Sequence, residues 1–175
     1  PARIVAIGGL SGTGKTVLAR GLAPFIGAVP GAVIVRSDVM RKHLFGIPET
    51  HPLPAQAYTA EVTAQVYRRV EAMAARIARS GHSAIADAVF AREDERRAIA
   101  ETARAADIAF TGLMLVADVE TRISRVAKRT GDASDADAAI ALRQEEYEMG
   151  AIDWIIVDAN GAPDDTLAHA RKALN

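Results

Sequence analysis

One stretch near the amino terminus, Gly9-Leu10-Ser11-Gly12-Thr13-Gly14-Lys15-Thr16, constrains this chain more than any other. It follows the apolar run Ile4-Val5-Ala6-Ile7 and leads into Val17-Leu18-Ala19, so the local order reads strand, glycine loop, helix. Gly9, Gly14, Lys15 and Thr16 satisfy the pattern G-x-x-x-x-G-K-[ST] of a phosphate-binding loop. Glycines let the backbone turn tightly, so the amides of Ser11, Gly12, Thr13 and Gly14 point into a concavity that holds an anion. A helix starting near Lys15 adds its unpaired N–H groups and the positive end of its dipole. Lys15 is expected to reach the β- and γ-phosphates, and the Thr16 hydroxyl to ligate Mg²⁺. The expected cofactors are therefore ATP and Mg²⁺, with GTP not separated from ATP. A glycine-rich turn that binds nothing would not need the flanking strand and helix.

The rest of the chain repeats that alternation. Strand-like apolar runs fall at 4–7, 32–35, 84–86, 110–116 and 154–157, separated by segments with helical spacing, which predicts an α/β parallel sheet. Helices are predicted from Lys15 to Ala23, Val39 to Phe45, Ala55 to Arg79, Arg92 onward with a heavily charged exposed face, Asp118 to Arg129, a second lid helix to Met149, and Pro163 to Leu174. Gly46 to Pro54, with three prolines, reads as a loop. Ligands of such sheets bind outside the carboxyl ends of the strands, and there lie Arg36-Ser37-Asp38 and Asp87.

Length and composition set bounds. A chain of 175 residues is one domain by the size prior, 1–175. The net charge of −1 gives no global basic field toward nucleic acid or anionic membrane. There is no cysteine, hence no disulfide and no thiolate metal site. No apolar run approaches a membrane span and no signal-peptide pattern opens the chain, so a cytoplasmic protein is expected. The opening at Pro1, directly before the first strand, fits a processed terminus or a domain cut from something longer.

Transfer of a phosphoryl group to a hydroxyl needs a carboxylate near the acceptor oxygen, facing the phosphate held by the loop. Asp38 is the first candidate for that general base; its competing reading is the N-cap of the short helix that follows. Asp87 ends an apolar strand, where an acid holds Mg²⁺ or its waters or else contacts the acceptor. Arg41 shares a helix face with Asp38 and could hold an acceptor phosphate or orient Asp38, or could be merely exposed. Arg122, Arg125 and Arg129 form one basic stripe. Ser134-Asp135-Ala136-Asp137 reads as a helix cap. The four histidines lack metal-ligand spacing, and Trp154 reads as core.

With these segments in place, the chain resembles the small P-loop kinases, the superfamily of gluconate kinase, chloramphenicol phosphotransferase and polynucleotide kinase. It is most similar to a bacterial predicted-kinase family with G-L-S-G-T-G-K-[ST], R-S-D-x-x-R-K, D-A-x-F and a lid carrying R-x-x-x-R followed by S-D-A-D. Those motifs stand here at Gly9 to Thr16, Arg36 to Lys42, Asp87 to Phe90, Arg125 to Arg129 and Ser134 to Asp137. The resemblance implies a five-stranded parallel sheet with helices on both faces and a lid over about 120–149. It implies catalytic lid roles for Arg125 and Arg129, an acceptor role for the D-x-x-R pair Asp38 and Arg41, and an adenine-contacting loop at Asp158 and Asn160. Such domains are sometimes fused to an aminoglycoside-phosphotransferase-like domain. The expected activity is ATP- and Mg²⁺-dependent transfer to a hydroxyl of a small-molecule acceptor. The alternatives are a polynucleotide 5′-hydroxyl kinase, disfavoured by the charge, and a nucleotide-controlled regulatory ATPase module.

Overall fold

The computed structural model describes residues 1–128 and 131–174. Five strands, β1 (Arg3–Gly8), β2 (Val33–Arg36), β3 (Ala84–Asp87), β4 (Ala109–Val116) and β5 (Ile155–Asp158), form one parallel sheet in the order β2-β3-β1-β4-β5. Helices α1 (Lys15–Leu22), α2 (Ser37–Phe45), α3 (Ala60–Arg79), α4 (Glu93–Ala105), α5 (Val119–Ala127), α6 (Ala138–Arg143) and α7 (Pro163–Leu174) complete it. This is the α/β fold of the P-loop nucleoside triphosphatases.

The continuous apolar character of β1 follows from coverage on both faces. Ile4 and Ala6 point to one side, where Tyr67, Val70, Ala74 and Ala78 of α3 and Ile99 and Ala103 of α4 cover them. Val5 and Ile7 point to the other, against Leu18, Ala19 and Leu22 of α1 and Ala170 of α7. Trp154, buried as predicted, packs edge-on against Phe90 and Phe110 just before β5. After β1 the chain goes to β2 on one side, and after β3 it crosses to β4 on the other. The crevice where β1 and β3 part is thus the topological switch point, and the loops of both strands open into it.

Four expectations are corrected. The helix expected over 55–79 is broken: Ala55–Tyr58 is a 3₁₀ turn, and extended Thr59 accepts the Val62 amide with its hydroxyl, so α3 starts only at Ala60. The helix expected to reach Met149 stops at Arg143 and tightens into a 3₁₀ turn over Gln144–Glu146, where Gln144 is drawn toward the P-loop. Arg96 is not on an exposed face but buried, its guanidinium donating to the carbonyls of Phe90, Ala91, Met149 and Ala151. Finally, the helix expected from Asp118 starts at Val119, and Asp118 stands before it without a side-chain cap bond.

Candidate active site

An open cleft of about 1000 Å³ lies at the carboxyl ends of β1, β2 and β3. Its nucleotide side is mostly backbone. The P-loop leaves β1 and closes on itself, with the Thr13 amide and hydroxyl both donating to the Leu10 carbonyl at 3.2 and 2.8 Å. Gly14 precedes α1 in the left-handed region, φ +94°, and puts no side chain in front of the first helical amides. Gly12, at φ +86°, sits under α5 so closely that a Cβ would lie 2.4 Å from the Arg122 carbonyl oxygen. Lys15 Nζ lies 3.4 Å from the Leu10 carbonyl oxygen and lines the cleft.

At the cleft floor the Thr16 hydroxyl donates to Asp87 Oδ2 at 2.6 Å, and Arg36 Nε lies 3.5 Å from the same oxygen. One contact thus joins the start of α1, the end of β3 and the end of β2. A hydroxyl and a carboxylate side by side are hard oxygen donors, the kind Mg²⁺ takes together with phosphate oxygens and water. Thr16 and Asp87 therefore fit that ion. No three histidine, aspartate or glutamate side chains converge as a metal site among the described residues.

Asp38 stands across from Lys15. The helix begins at Ser37, so Asp38 occupies its first turn and Arg36 its N-cap position, without a side-chain cap bond; the capping reading of Asp38 is not what the helix uses. Its carboxylate makes no hydrogen bond or ion pair among the described residues. Burial, and then repulsion from Asp87, push its pKa up, opposed but not cancelled by Lys15 and Arg36. Arg41, one turn along, is buried rather than exposed. Its Nη1 donates to the Ala57 carbonyl at 2.6 Å and to Thr63 Oγ1 at 3.2 Å, and its guanidinium lies 5.0 Å from the Tyr58 ring centroid. Beyond it, the Tyr67 hydroxyl accepts the Phe90 amide at 3.0 Å, holding Phe90 at φ +50° in the turn after Asp87. Glu95 lines the cleft beside Tyr67, and Glu146 and Glu148 line it from the segment after α6.

The segment of α5 and α6 forms the remaining wall. Arg122 is no part of a solvated stripe: fully buried, it donates to the carbonyls of Ser11 and Ala141 and pairs with Glu145. Gln144 Oε1 accepts the Ser11 amide at 2.7 Å. Arg125 turns away from the cleft lining, toward the carbonyls of Thr13 at 3.5 Å and Gly161 at 3.0 Å. Arg129 lies outside the described residues. Asp158 and Asn160 also lie off the lining: Asn160 donates to Asp158 Oδ1 and accepts the Asp118 amide at 2.8 Å, which favours their reading as a turn. In the Ser134 to Asp137 run, Asp137 caps α6 by accepting the Ile140 amide, while Asp135 reaches Lys42, Leu53 and Tyr58.

Arg36, Lys42, Gln144 and Asp135 were given no site role by sequence reasoning. The first two lie inside the R-S-D-x-x-R-K segment, where a cation flanking a candidate base was the available signal. Nothing local marks Gln144.

Residues 4–148 match the family model described as AAA domain. An uncharacterized protein of Mycobacterium tuberculosis H37Rv is 30% identical over 156 residues, covering 85% of this chain and 30% of that protein. The chain thus spans less than a third of the curated relatives' length. Among solved structures, a gluconokinase from Sinorhizobium meliloti aligns at TM-score 0.69 and 18% identity over 99% of this chain and 91% of its own. A sugar kinase from Janibacter aligns at 0.71 and 22% over 99% and 95%. The Mycobacterium tuberculosis APS kinase, solved with AMPPNP and APS, aligns at 0.64 and 17% over 99% and 97%. The chain belongs to the AAA_33 family of AAA domains and carries the fold of the small P-loop kinases.

Proposed function

We propose that this protein transfers the γ-phosphoryl group of ATP, with Mg²⁺, to a hydroxyl of a small-molecule acceptor. The observation that carries the reading is Asp38: an uncommitted carboxylate at the end of β2, pushed toward the protonated form, facing the P-loop lysine across the cleft. A carboxylate that only capped its helix or paired with an arginine would have its oxygens occupied.

In this reading Lys15 and the amides of Gly12, Gly14 and the first turn of α1 hold the β- and γ-phosphates, because the Ser11 and Thr13 amides, expected to point at the anion, instead donate to Gln144 and Leu10. Thr16 and Asp87 would hold Mg²⁺, which when bound neutralises charge on the phosphate oxygens. Asp38 takes the proton of the acceptor hydroxyl as its oxygen attacks. Arg41 borders the acceptor, with Tyr58 and Tyr67 beside it. Arg125 lies against the carbonyls of Thr13 and Gly161, off the cleft lining, and is given no part in the transfer in this reading. The acids Glu95, Glu146 and Glu148 in the cleft lining weigh against a polynucleotide strand, which needs a basic groove. The gluconokinase, sugar kinase and APS kinase folds support a small acceptor by analogy.

The test is a metabolite-pool phosphorylation screen with γ-labelled ATP, run beside Lys15→Ala and Asp38→Asn. A labelled product that both substitutions abolish is expected. Free phosphate as the sole labelled product, formed equally by wild type and Asp38→Asn, would instead favour a regulatory ATPase, and steep loss of transfer with added salt would favour a nucleic-acid acceptor.

A further inference from the structure

We propose that Asp135 is a positioning residue that fastens the lid segment to the acceptor wall, so that the two form one unit around the cleft. The catalytic consequence rests on the kinase reading above; the fastening does not.

Three donors from separate parts of the chain converge on this one carboxylate. Lys42 Nζ, from α2, lies 2.6 Å from Oδ1. The Leu53 amide, from the proline-rich loop, donates to Oδ2 at 2.9 Å, and the Tyr58 hydroxyl donates to the same oxygen at 2.6 Å. Burial alone would raise the pKa of Asp135, but these bonds outweigh it and hold the group below its ordinary value, so the carboxylate is charged at any working pH. Helix capping does not explain the placement, because Asp137 already caps α6.

Lys42 makes the contact consequential. Its side chain is 1% exposed, and Asp135 is its one carboxylate partner among the described residues, with the His51 carbonyl as its other acceptor. A buried ammonium that loses its counter-ion is strongly destabilised, so lifting Asp135 away is resisted. The partners also lead into the site. Lys42 follows Arg41 on the helix that carries Asp38, and the Tyr58 ring lies against the Arg41 guanidinium. A second tie runs alongside: Arg36 Nη2 to Asp132 Oδ1 at 2.7 Å, from an arginine that also flanks Asp87. At the other end of the same segment, Gln144 and Arg122 hold Ser11 of the P-loop. The segment therefore spans from the phosphate loop to the acceptor wall, and Asp135 sets where that wall stands relative to the phosphate loop.

The experiment compares Asp135→Asn, Lys42→Met and Tyr58→Phe in the full chain by amide hydrogen exchange, with mant-ATP and Mg²⁺ as the binding probe. Exchange should accelerate about tenfold or more in both 49–58 and 131–137 for the first two variants, and about threefold for Tyr58→Phe, which keeps the ring. The sheet should retain wild-type rates, and mant-ATP affinity should stay within about threefold, because the nucleotide side is held by other contacts. Transfer into the labelled metabolite pool should fall about tenfold in Asp135→Asn at an unchanged KM for ATP, a split that a general loss of structure would not give. Unchanged exchange over 131–137 when Lys42 is replaced would overturn the proposal. So would acceleration in Tyr58→Phe spread evenly over the chain, or an equal fall in ATP affinity and transfer. A wild-type protein that labels no acceptor overturns the kinase reading alone, and the exchange measurements still decide the fastening.

Discussion

Gly12, Gly14 and Thr13 shape their side of the cleft with backbone, within one continuous run, while the opposite side is assembled from side chains that arrive separately. Asp38 and Arg41 come from α2, Tyr58 from a 3₁₀ turn, Thr63 and Tyr67 from α3, Glu95 from α4, and Asp135 from the lid segment. Backbone amides at a helix start bind phosphate whatever the rest of the molecule does. Side chains on five elements do so only if the whole fold holds them in register. The nucleotide side is therefore generic and the acceptor side particular to this chain.

The largest expected effect separates the two sides. Lys15→Ala should lower phosphoryl transfer by about 10³-fold and also weaken mant-ATP binding, since it removes a cation from the phosphates. Asp38→Asn should lower transfer by about 10²–10⁴-fold yet leave mant-ATP affinity within about threefold, since it removes only the proton acceptor. Stopped-flow binding beside turnover measures both. Equal loss of nucleotide affinity in the two variants would break the division.

That division also explains what could be read from the sequence. The P-loop, the five strands and the carboxylates at two strand ends were legible because each depends on residues adjacent in the chain. Gln144 was not, because the Ser11 amide it accepts is 133 residues away. Lys42 and Asp135 are 93 residues apart: Asp135 had a satisfactory local reading as a capping acid, and nothing adjacent to Lys42 in the chain marks its partner. Arg122 and Arg96 misled for the same reason: helical spacing shows which residues share a face, and only packing shows whether that face meets water. The break before α3 failed differently. Alanines 55 and 57 favour helix, but Thr59 caps the helix one residue later, and capping overrides propensity over so short a run.

A medium effect tests whether the nucleotide side is as rigid as its backbone construction requires. Gly12→Ala places a methyl against the Arg122 carbonyl oxygen in a left-handed backbone. It should destabilise the chain by about 2–4 kcal/mol in urea unfolding and weaken mant-ATP binding, because relief of the clash must move the loop or α5. A fully stable variant would mean that α5 yields easily, and the contrast between a rigid and an assembled side would blur. On the margin of the same side, Asn160→Ala should destabilise by about 1 kcal/mol through loss of the Asp118 tether. If its side chain serves only the turn, mant-ATP affinity stays within about twofold; a larger drop would return Asn160 to the nucleotide site.

The smallest effect is thermal, and it comes from the group most exposed to the tension between stability and activity. Asp38 has a folded-state pKa above its unfolded value, so the folded chain binds its proton more tightly than the unfolded chain does. The stability this confers is fully present below about pH 4 and is lost as pH rises through the folded-state value. At pH 7 to 8 the charged carboxylate is a net liability to the fold, half-buried in the cleft and repelled by Asp87, and asparagine removes that charge at nearly the same volume. Asp38→Asn should therefore melt on the order of a few °C above wild type at neutral pH, with the difference shrinking toward zero as pH approaches 4. Differential scanning calorimetry across that range reads it directly. A variant that melts lower at pH 7.5 would mean that Asp38 is held by favourable contacts with Lys15 and Arg36, and the acceptor side would then owe its arrangement to ion pairing, not to a carboxylate kept free.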